Sequence, residues 1–464
     1  MFSLADAIIE ERFDLIGAAL QRQFSINEID EYGFTPLIEA AIADSLTIAE
    51  LMIQYGADVN QQDMTGNTAL HWAAENNNLK LVELLLKNNA DPNAYNFAGQ
   101  PVLTMPLLRQ QEALKKLLMS YGAELIFAQD FINTKLLGHM FELVGTADIL
   151  DTHNQFVEVD FEGFYLEFTL NLIAESLAQF NNHFAARKLR HYSAYTNQVI
   201  QSLLRAAQLI KFQQYRIDTK KHLTTIHSLL QQEPLIIPVG YEGHAITFIK
   251  FGNLFVKCDR REDSRLYDNI VFYRIHYPAK MNVEFVQSLI YEKQTDYFIN
   301  QQVSSILGLE PITELKVTAQ VSGNCSWANV EACIPAVFFL LFSQIENFNQ
   351  QIAHYKSLAL NYFHQWQEWN KERALQFCIK SFYEANVLRR ACKAEILSAI
   401  LYQCCQQGTE SDNKRIQAIL PILMLPEYVY ILQNYVVSYC YHDHSTEGQR
   451  FLRMLKRHGY VEGR

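Results

Sequence analysis

Apolar and polar positions along the first 125 residues repeat with a period of 33. Gly33, Gly66 and Gly99 fall one period apart, as do Asn27, Asn60 and Asn93. The stretches YGADVN (55–60), NNADPN (88–93) and YGAEL (121–125) hold the same phase. Each unit carries a glycine turn, then a short helix with paired small residues (Ala40 and Ala41, Ala73 and Ala74). A second helix such as AELMIQY or KLVELLLK comes next and stops on glycine or asparagine. A unit of this size cannot bury its apolar face alone, so the period predicts a stacked helical solenoid. Four repeats are expected, at 1–29, 30–62, 63–95 and 96–125. The first lacks a hairpin turn and reads as a cap. The fourth carries Pro101 and Pro106; a proline inside its first helix removes a backbone donor, so this repeat is expected to be distorted and to pack against residues 126 onward.

Beyond residue 125 the periodicity changes. Residues 126–175 mix apolar and polar positions, with VEVDF and FYLEFTL strand-like on either side of Glu162 and Gly163. From 173 to 232 the spacing is helical. LIIPVGYEGHAITFIKFGNLFVKCDR (235–260) then predicts a three-stranded meander that turns at Gly252 and Asn253. After 345 the chain is helical throughout, with tyrosine and phenylalanine at core spacing. The fold class expected is α+β: an N-terminal α-helical solenoid (1–125), an α+β domain (126–345), and a helical cap with a polar, basic tail (346–464).

The chain has 464 residues, 49% hydrophobic and 19% charged, and a sizeable core is within its reach. No transmembrane span is expected, and the acidic start MFSLADAIIEERFD is unlike a secretory leader. The net charge of −11 is concentrated at the front. Residues 1–125 hold 17 acidic and 7 basic side chains, against 33 and 32 in the remainder. That imbalance repels nucleic acid, so no direct nucleic-acid binding is expected, and it favours a basic protein partner, with solubility alone as the alternative. The eight cysteines show no CxxC spacing, which predicts reduced thiols, no metal and no cofactor. Walker, dinucleotide, kinase and HExxH signatures are all missing from the sequence, disfavouring those enzyme classes.

Candidate chemistry gathers on the meander and one later helix. His244 opens one strand and Asp259 ends its hairpin partner, so the turn at 252–253 brings them together as a base and its orienting acid. Asp263 and Asp268 are alternative acids. In QVSGNCSWANVEACIPAVFFLLF, Gly323 and Asn324 lead into Cys325 at a helix start, where amides and the helix dipole favour a thiolate. Gln320 is placed to donate to an oxyanion together with the Cys325 N–H. Loss of Asp259 is expected to cost less than loss of His244, because the acid only orients the ring.

Two resemblances give these residues roles. DEYGFTPLIEAA and DMTGNTALHWAA resemble the ankyrin consensus, which implies a protein-binding array whose Thr35 and Thr68, with His71, tie neighbouring turns. Partner-binding positions then fall on the hairpins at Tyr32, Phe34, Met64, Asn67, Tyr95 and Phe97. Trp72 stands where that consensus has a packing leucine and is expected in the core. Asn60 and Asn93 resemble the ankyrin asparagines modified by host asparaginyl hydroxylases, and are otherwise expected to bond within their own loops. The order His244, Asp259, Gln320, Cys325 resembles the clan of ubiquitin-like-protein proteases and the acetyltransferase effectors sharing their fold. It departs from that clan at Ala245 and Ser326, where an aromatic and a glycine are usual, and in a glutamine-to-cysteine interval one residue short. GNCSWANVEA resembles a motif of ankyrin-repeat effectors from Legionella. Together these imply a translocated effector that docks a host protein, in host cytoplasm or nucleus, and presents a cysteine hydrolase or acyltransferase site. The alternative is a non-catalytic scaffold that sequesters a host complex.

Overall fold

The computed structural model describes residues 4–21, 26–213, 219–261, 269–442 and 446–460. Asp263 and Asp268, the alternative acids, lie outside the described residues. Eight helices in antiparallel pairs build the front of the chain: α1 (Leu4–Ile9) with α2 (Phe13–Gln21), α3 (Pro36–Ile42) with α4 (Leu46–Gln54), α5 (Ala69–Glu75) with α6 (Leu79–Lys87), and α7 (Thr104–Leu108) with α8 (Glu112–Ser120). Their small inward residues, Ala40, Ala41, Ala73 and Ala74, are fully buried, which lets successive pairs stack closely. Thr35 caps α3 by accepting the Ile38 N–H at 3.2 Å. His71 accepts the Thr68 N–H at Nδ1 (3.1 Å) and reaches the Gln100 carbonyl of the next repeat at Nε2 (3.3 Å). Burial holds its ring neutral, pushing the pKa down to about 4, so Nε2 carries the donated hydrogen.

The asparagines at the 33-residue spacing correct one expectation. They bond between loops rather than within them. Asn60 accepts the Asp91 N–H (2.8 Å) and donates to the Asn89 carbonyl (3.0 Å), and Asn93 repeats this with Glu124 N–H and Gly122 O (2.8 and 2.9 Å). Trp72 also differs from a plain core residue. It is half-buried, edge-on to Phe34 at 6.0 Å, and its indole N–H donates to Asp63 at 3.0 Å.

The fourth repeat runs straight into α9 (Leu125–Phe141), whose Ala128 lies in the solenoid core. α7 is five residues long, as a proline at its third position allows. Its neighbours pack forward: Tyr165 donates to Gln100 (2.8 Å), and Gly99 lies against Val157 and Val159. Strand β1 (Thr146–Leu150) pairs antiparallel with β2 (Phe156–Asp160). FYLEFTL is not a strand. It enters α10 (Leu166–Asn182), because Leu170, Ile173, Ala174, Leu177 and Phe180 continue an apolar stripe at helical spacing.

α11 (Ser193–Lys211) and α12 (Leu223–Leu230) lead to an antiparallel sheet in sequential order: β3 (Leu235–Tyr241), β4 (His244–Phe251), β5 (Leu254–Cys258), β6 (Ile270–Ile275) and β7 (Leu309–Leu315). α13 (Val283–Tyr291) and α14 (Val303–Leu307) fill the connection before β7. Pro238 sits in the edge strand β3, where a missing donor disturbs the ladder least. β3 and β4 are nearly continuous apolar runs, because helices cover them: α11 lies on β3, and α15 (Cys325–Glu331) and α16 (Cys333–Phe342) lie on β4. The stretch Cys325–Phe342 is long and apolar enough to cross a membrane, but 94% of it is buried as the core of this layer. α17 (Ile352–Glu384), α18 (Val387–Cys404), α19 (Glu410–Leu423), α20 (Val429–Tyr435) and α21 (Thr446–Arg457) form a second core with Leu137 and Phe141 of α9. The polar, basic tail is folded into it through Phe451, Leu452 and Leu455 of α21.

Candidate active site

The β4–β5 register sets the first two residues of the site. Thr247 faces Cys258 across the hairpin, so His244, three residues before Thr247, and Asp259, directly after Cys258, converge at the open end of the ladder. His244 Nε2 stands 3.2 Å from Asp259 Oδ1, which leaves Nδ1 for another partner. The other oxygen of Asp259 meets Lys257 Nζ at 3.3 Å and Arg261 Nη2 at 3.1 Å. Burial alone would raise this carboxyl's pKa, but His244, Lys257 and Arg261 outweigh it and hold it well below the ordinary range. Asp259 is thus an ion-pair hub, a larger role than orienting one ring.

Cys325 is delivered to the same ring by α15. The half-buried thiol is penalised by burial as a thiolate, yet its pKa is lowered by His244 and by the backbone N–H groups of Ala245 and Ser326. Burial likewise opposes the charged form of His244, and the bond to Asp259 with the thiol's charge overrides it, pushing the pKa up to about 9. The two shifts are coupled: each group favours the charged form of the other. Five other cysteines move the opposite way through burial: Cys378 and Cys404 to about 11, Cys392 to about 12, and Cys258 and Cys405 upward as well.

Asn329, one helical turn after Cys325, is a residue that motif reading passed over. Its amide donates to the Ala245 carbonyl (2.7 Å) and accepts the Arg260 N–H (2.7 Å). It therefore pins the cysteine helix to the residue after His244 and to the residue after Asp259. Its i+4 spacing from Cys325 was the available signal. Arg260 is buried behind it, bonded to Glu142 and the Thr318 carbonyl, both at 2.7 Å. Gln320 donates its backbone N–H to the Arg260 carbonyl (2.9 Å), and its side-chain oxygen is buried without a hydrogen-bond partner. Among the described residues no bond joins the Gln320 side chain to Cys325.

The expected hairpin positions separate into two groups. Tyr32, Met64 and Phe97 project from successive tips, 56%, 72% and 72% exposed. Met64 lies over Gly33 and Phe97 over Gly66, where a Cβ would come within 2.7 and 2.5 Å. Phe34 turns inward onto Trp72. Tyr95 packs edge-on to Phe127 of α9 at 5.7 Å, and Asn67 accepts from Asn96 at 3.0 Å.

Solenoid and α+β unit together make this an ankyrin-repeat protein with an appended α+β region. The ankyrin-repeat family matches residues 4–96 and 61–126, in three copies. Over its whole length the fold is similar to that of the Legionella effector AnkH, with a TM-score of 0.85, 39% sequence identity, and coverage of 100% of this chain and 98% of that one. The chain belongs to the AnkH family of ankyrin-repeat proteins. Comparison with curated proteins gives no match.

Proposed function

We propose that this protein is a translocated bacterial effector that docks a host protein on its ankyrin hairpins and carries out thiol chemistry on it. In this reading residues 1–125 are the docking array, 126–345 the thiol domain and 346–464 its helical cap. The observation that carries it is the His244–Asp259 pair set against Cys325, a cysteine whose pKa is lowered. Cys325 is the nucleophile: its thiolate attacks an acyl carbon of a peptide or isopeptide bond, with Gln320 and the Cys325 N–H as oxyanion donors. The His244 imidazolium then gives its proton to the departing amine, leaving a thioester. Water, deprotonated by His244, hydrolyses it, or an amine takes the acyl group. Tyr32, Met64 and Phe97 form the docking edge, which supports equally the scaffold reading, in which binding occurs without turnover.

Electrophilic probes built on ubiquitin-like C-termini and on acyl donors, incubated with the full chain and then analysed by intact-mass spectrometry, test this. The expected result is one covalent adduct at Cys325, lost in Cys325→Ala and His244→Ala. Adducts spread over other cysteines, or none with any probe, would leave only the scaffold.

A further inference from the structure

α9 holds the turn that precedes Cys325 from behind. Lys135 and His139 stand four residues apart on one face of that helix. Lys135 donates to the Glu162 carbonyl at 2.6 Å, and the next residue, Gly163, donates its N–H to the Gly323 carbonyl at 3.0 Å. Gly323 needs its φ of +75°, and a Cβ there would fall 2.2 Å from Glu162 Cγ. His139 then grips Asn324 directly. Its Nδ1 lies 2.5 Å from Asn324 Oδ1, and Asn324 Nδ2 donates back to the His139 carbonyl at 3.3 Å. That second bond fixes which end of the amide faces which group, so the ring donates from Nδ1. Both residues are buried, 1% and 3% exposed, and the imidazole stacks on Trp327 at 6.1 Å.

Asn324 has the start of α15 in its backbone, its carbonyl accepting from Trp327 and Ala328. An asparagine at that place ordinarily turns its side chain back to cap the helix. Here it makes no such bond, and its side chain meets His139 instead. We propose that His139 is a positioning residue of the thiol site: by holding the Asn324 amide, it fixes the turn from which Cys325 faces His244. The inference rests on reading Cys325 as a nucleophile. Burial lowers the His139 pKa and so favours the neutral ring, and its charged neighbours are Lys135 and Asp160. The groups that set the thiol's charge are His244 and, behind it, Asp259, Lys257 and Arg261. His139 therefore acts through geometry rather than through its own charge.

The test uses full-length protein and the pH profile of iodoacetamide labelling at Cys325, read by peptide mass spectrometry. His139→Leu removes the donor and keeps bulk. It should raise the labelling midpoint by about one pH unit, slowing labelling about tenfold at pH 6.5. His139→Asn places an amide N–H near the position of Nδ1 and should restore the rate to within about twofold of wild type. Asn324→Ala breaks the same bond from the other side and should match His139→Leu, with no further loss in the double variant. Buried Cys378 and Cys405 report the fold, staying unlabelled throughout. If His139→Leu proves unfolded by that measure, Asn324→Ala alone decides. A low wild-type midpoint left in place by folded His139→Leu or by Asn324→Ala overturns the positioning role alone. Equal damage from His139→Asn and His139→Leu overturns it too, by assigning the effect to ring packing. A wild-type midpoint near that of free cysteine overturns the nucleophile reading and this inference with it.

Discussion

Replacing Asp259 by asparagine keeps the shape of the hub and removes its charge. His244 then faces Lys257 and Arg261 with no carboxylate between them, and the burial that opposes its protonation is countered by the Cys325 thiol without help from Asp259. In wild type the ring's pKa rises from 6.5 to about 9. At about 1.4 kcal/mol per unit that is about 3 kcal/mol. The His244 side chain keeps 15% of its surface in solvent, so screening reduces the stabilising part to about 1–2 kcal/mol. A raised histidine pKa stabilises the fold fully below about pH 6.5 and loses that contribution as pH climbs through about 9. The depressed Asp259 pKa adds stability that is present above the ordinary aspartate range and lost in acid. Thermal melting of wild type and Asp259→Asn should therefore differ most between about pH 5 and 6.5, and the gap should narrow toward pH 9.5. Without the imidazolium the thiolate loses its strongest support, so Cys325 labelling at pH 6.5 should slow at least about tenfold. A melting difference that does not change with pH, together with undiminished labelling, would refute the hub.

Binding should depend on the exposed tips. Met64→Ala with Phe97→Ala is expected to reduce capture of a host partner at least about tenfold in pull-downs with little change in melting, since both side chains are mostly in solvent. Tyr95→Ala should instead lower stability by about 1–2 kcal/mol, because it loses its packing on Phe127. Asn60→Ala and Asn93→Ala each delete two inter-loop bonds and should each cost about 1–2 kcal/mol in urea denaturation. Limited proteolysis should leave 110–140 uncut while other loops are nicked, because this stretch is mostly α8 and α9, and α9 joins three cores.

Local signals in the sequence were enough for the solenoid and the meander. The 33-residue period, the helix stops and the Gly252–Asn253 turn act over short range, and pairing at the turn sets His244 opposite residue 261, within reach of Asp259. The helix start at Cys325 was legible because glycine and asparagine precede an apolar helix. What escaped was long-range. FYLEFTL alternates well enough to pass for a strand, yet Tyr165 and Phe168 are placed by contacts with Gln100 and Arg109 of the fourth repeat. β1 has a weak apolar pattern, and its strand is completed by β2 and by α18 lying against it. The grip of His139 on Asn324 joins residues 185 apart, and Asn329 bonds to Arg260 and Ala245, 69 and 84 residues away. No periodicity reports such bonds.

The same long-range bonds bear on how a docked partner would meet the thiol. α9 begins in the solenoid core at Leu125 and Ala128, presses Phe127 and Phe131 against Tyr95, β1 and β2, and ends among the C-terminal helices at Leu137 and Phe141. His139, on its last turn, reaches the residue before Cys325. Seventeen helical residues span about 25 Å at 1.5 Å each, and three cores hold that span. A flexible linker would let the array and the thiol sample many separations and would act only by raising local concentration. A helix anchored at both ends fixes one separation. On the proposed reading, a protein held at Tyr32, Met64 and Phe97 then offers to Cys325 only those bonds lying at that reach. Selectivity would come from where a bond sits on the bound partner more than from the side chains beside it.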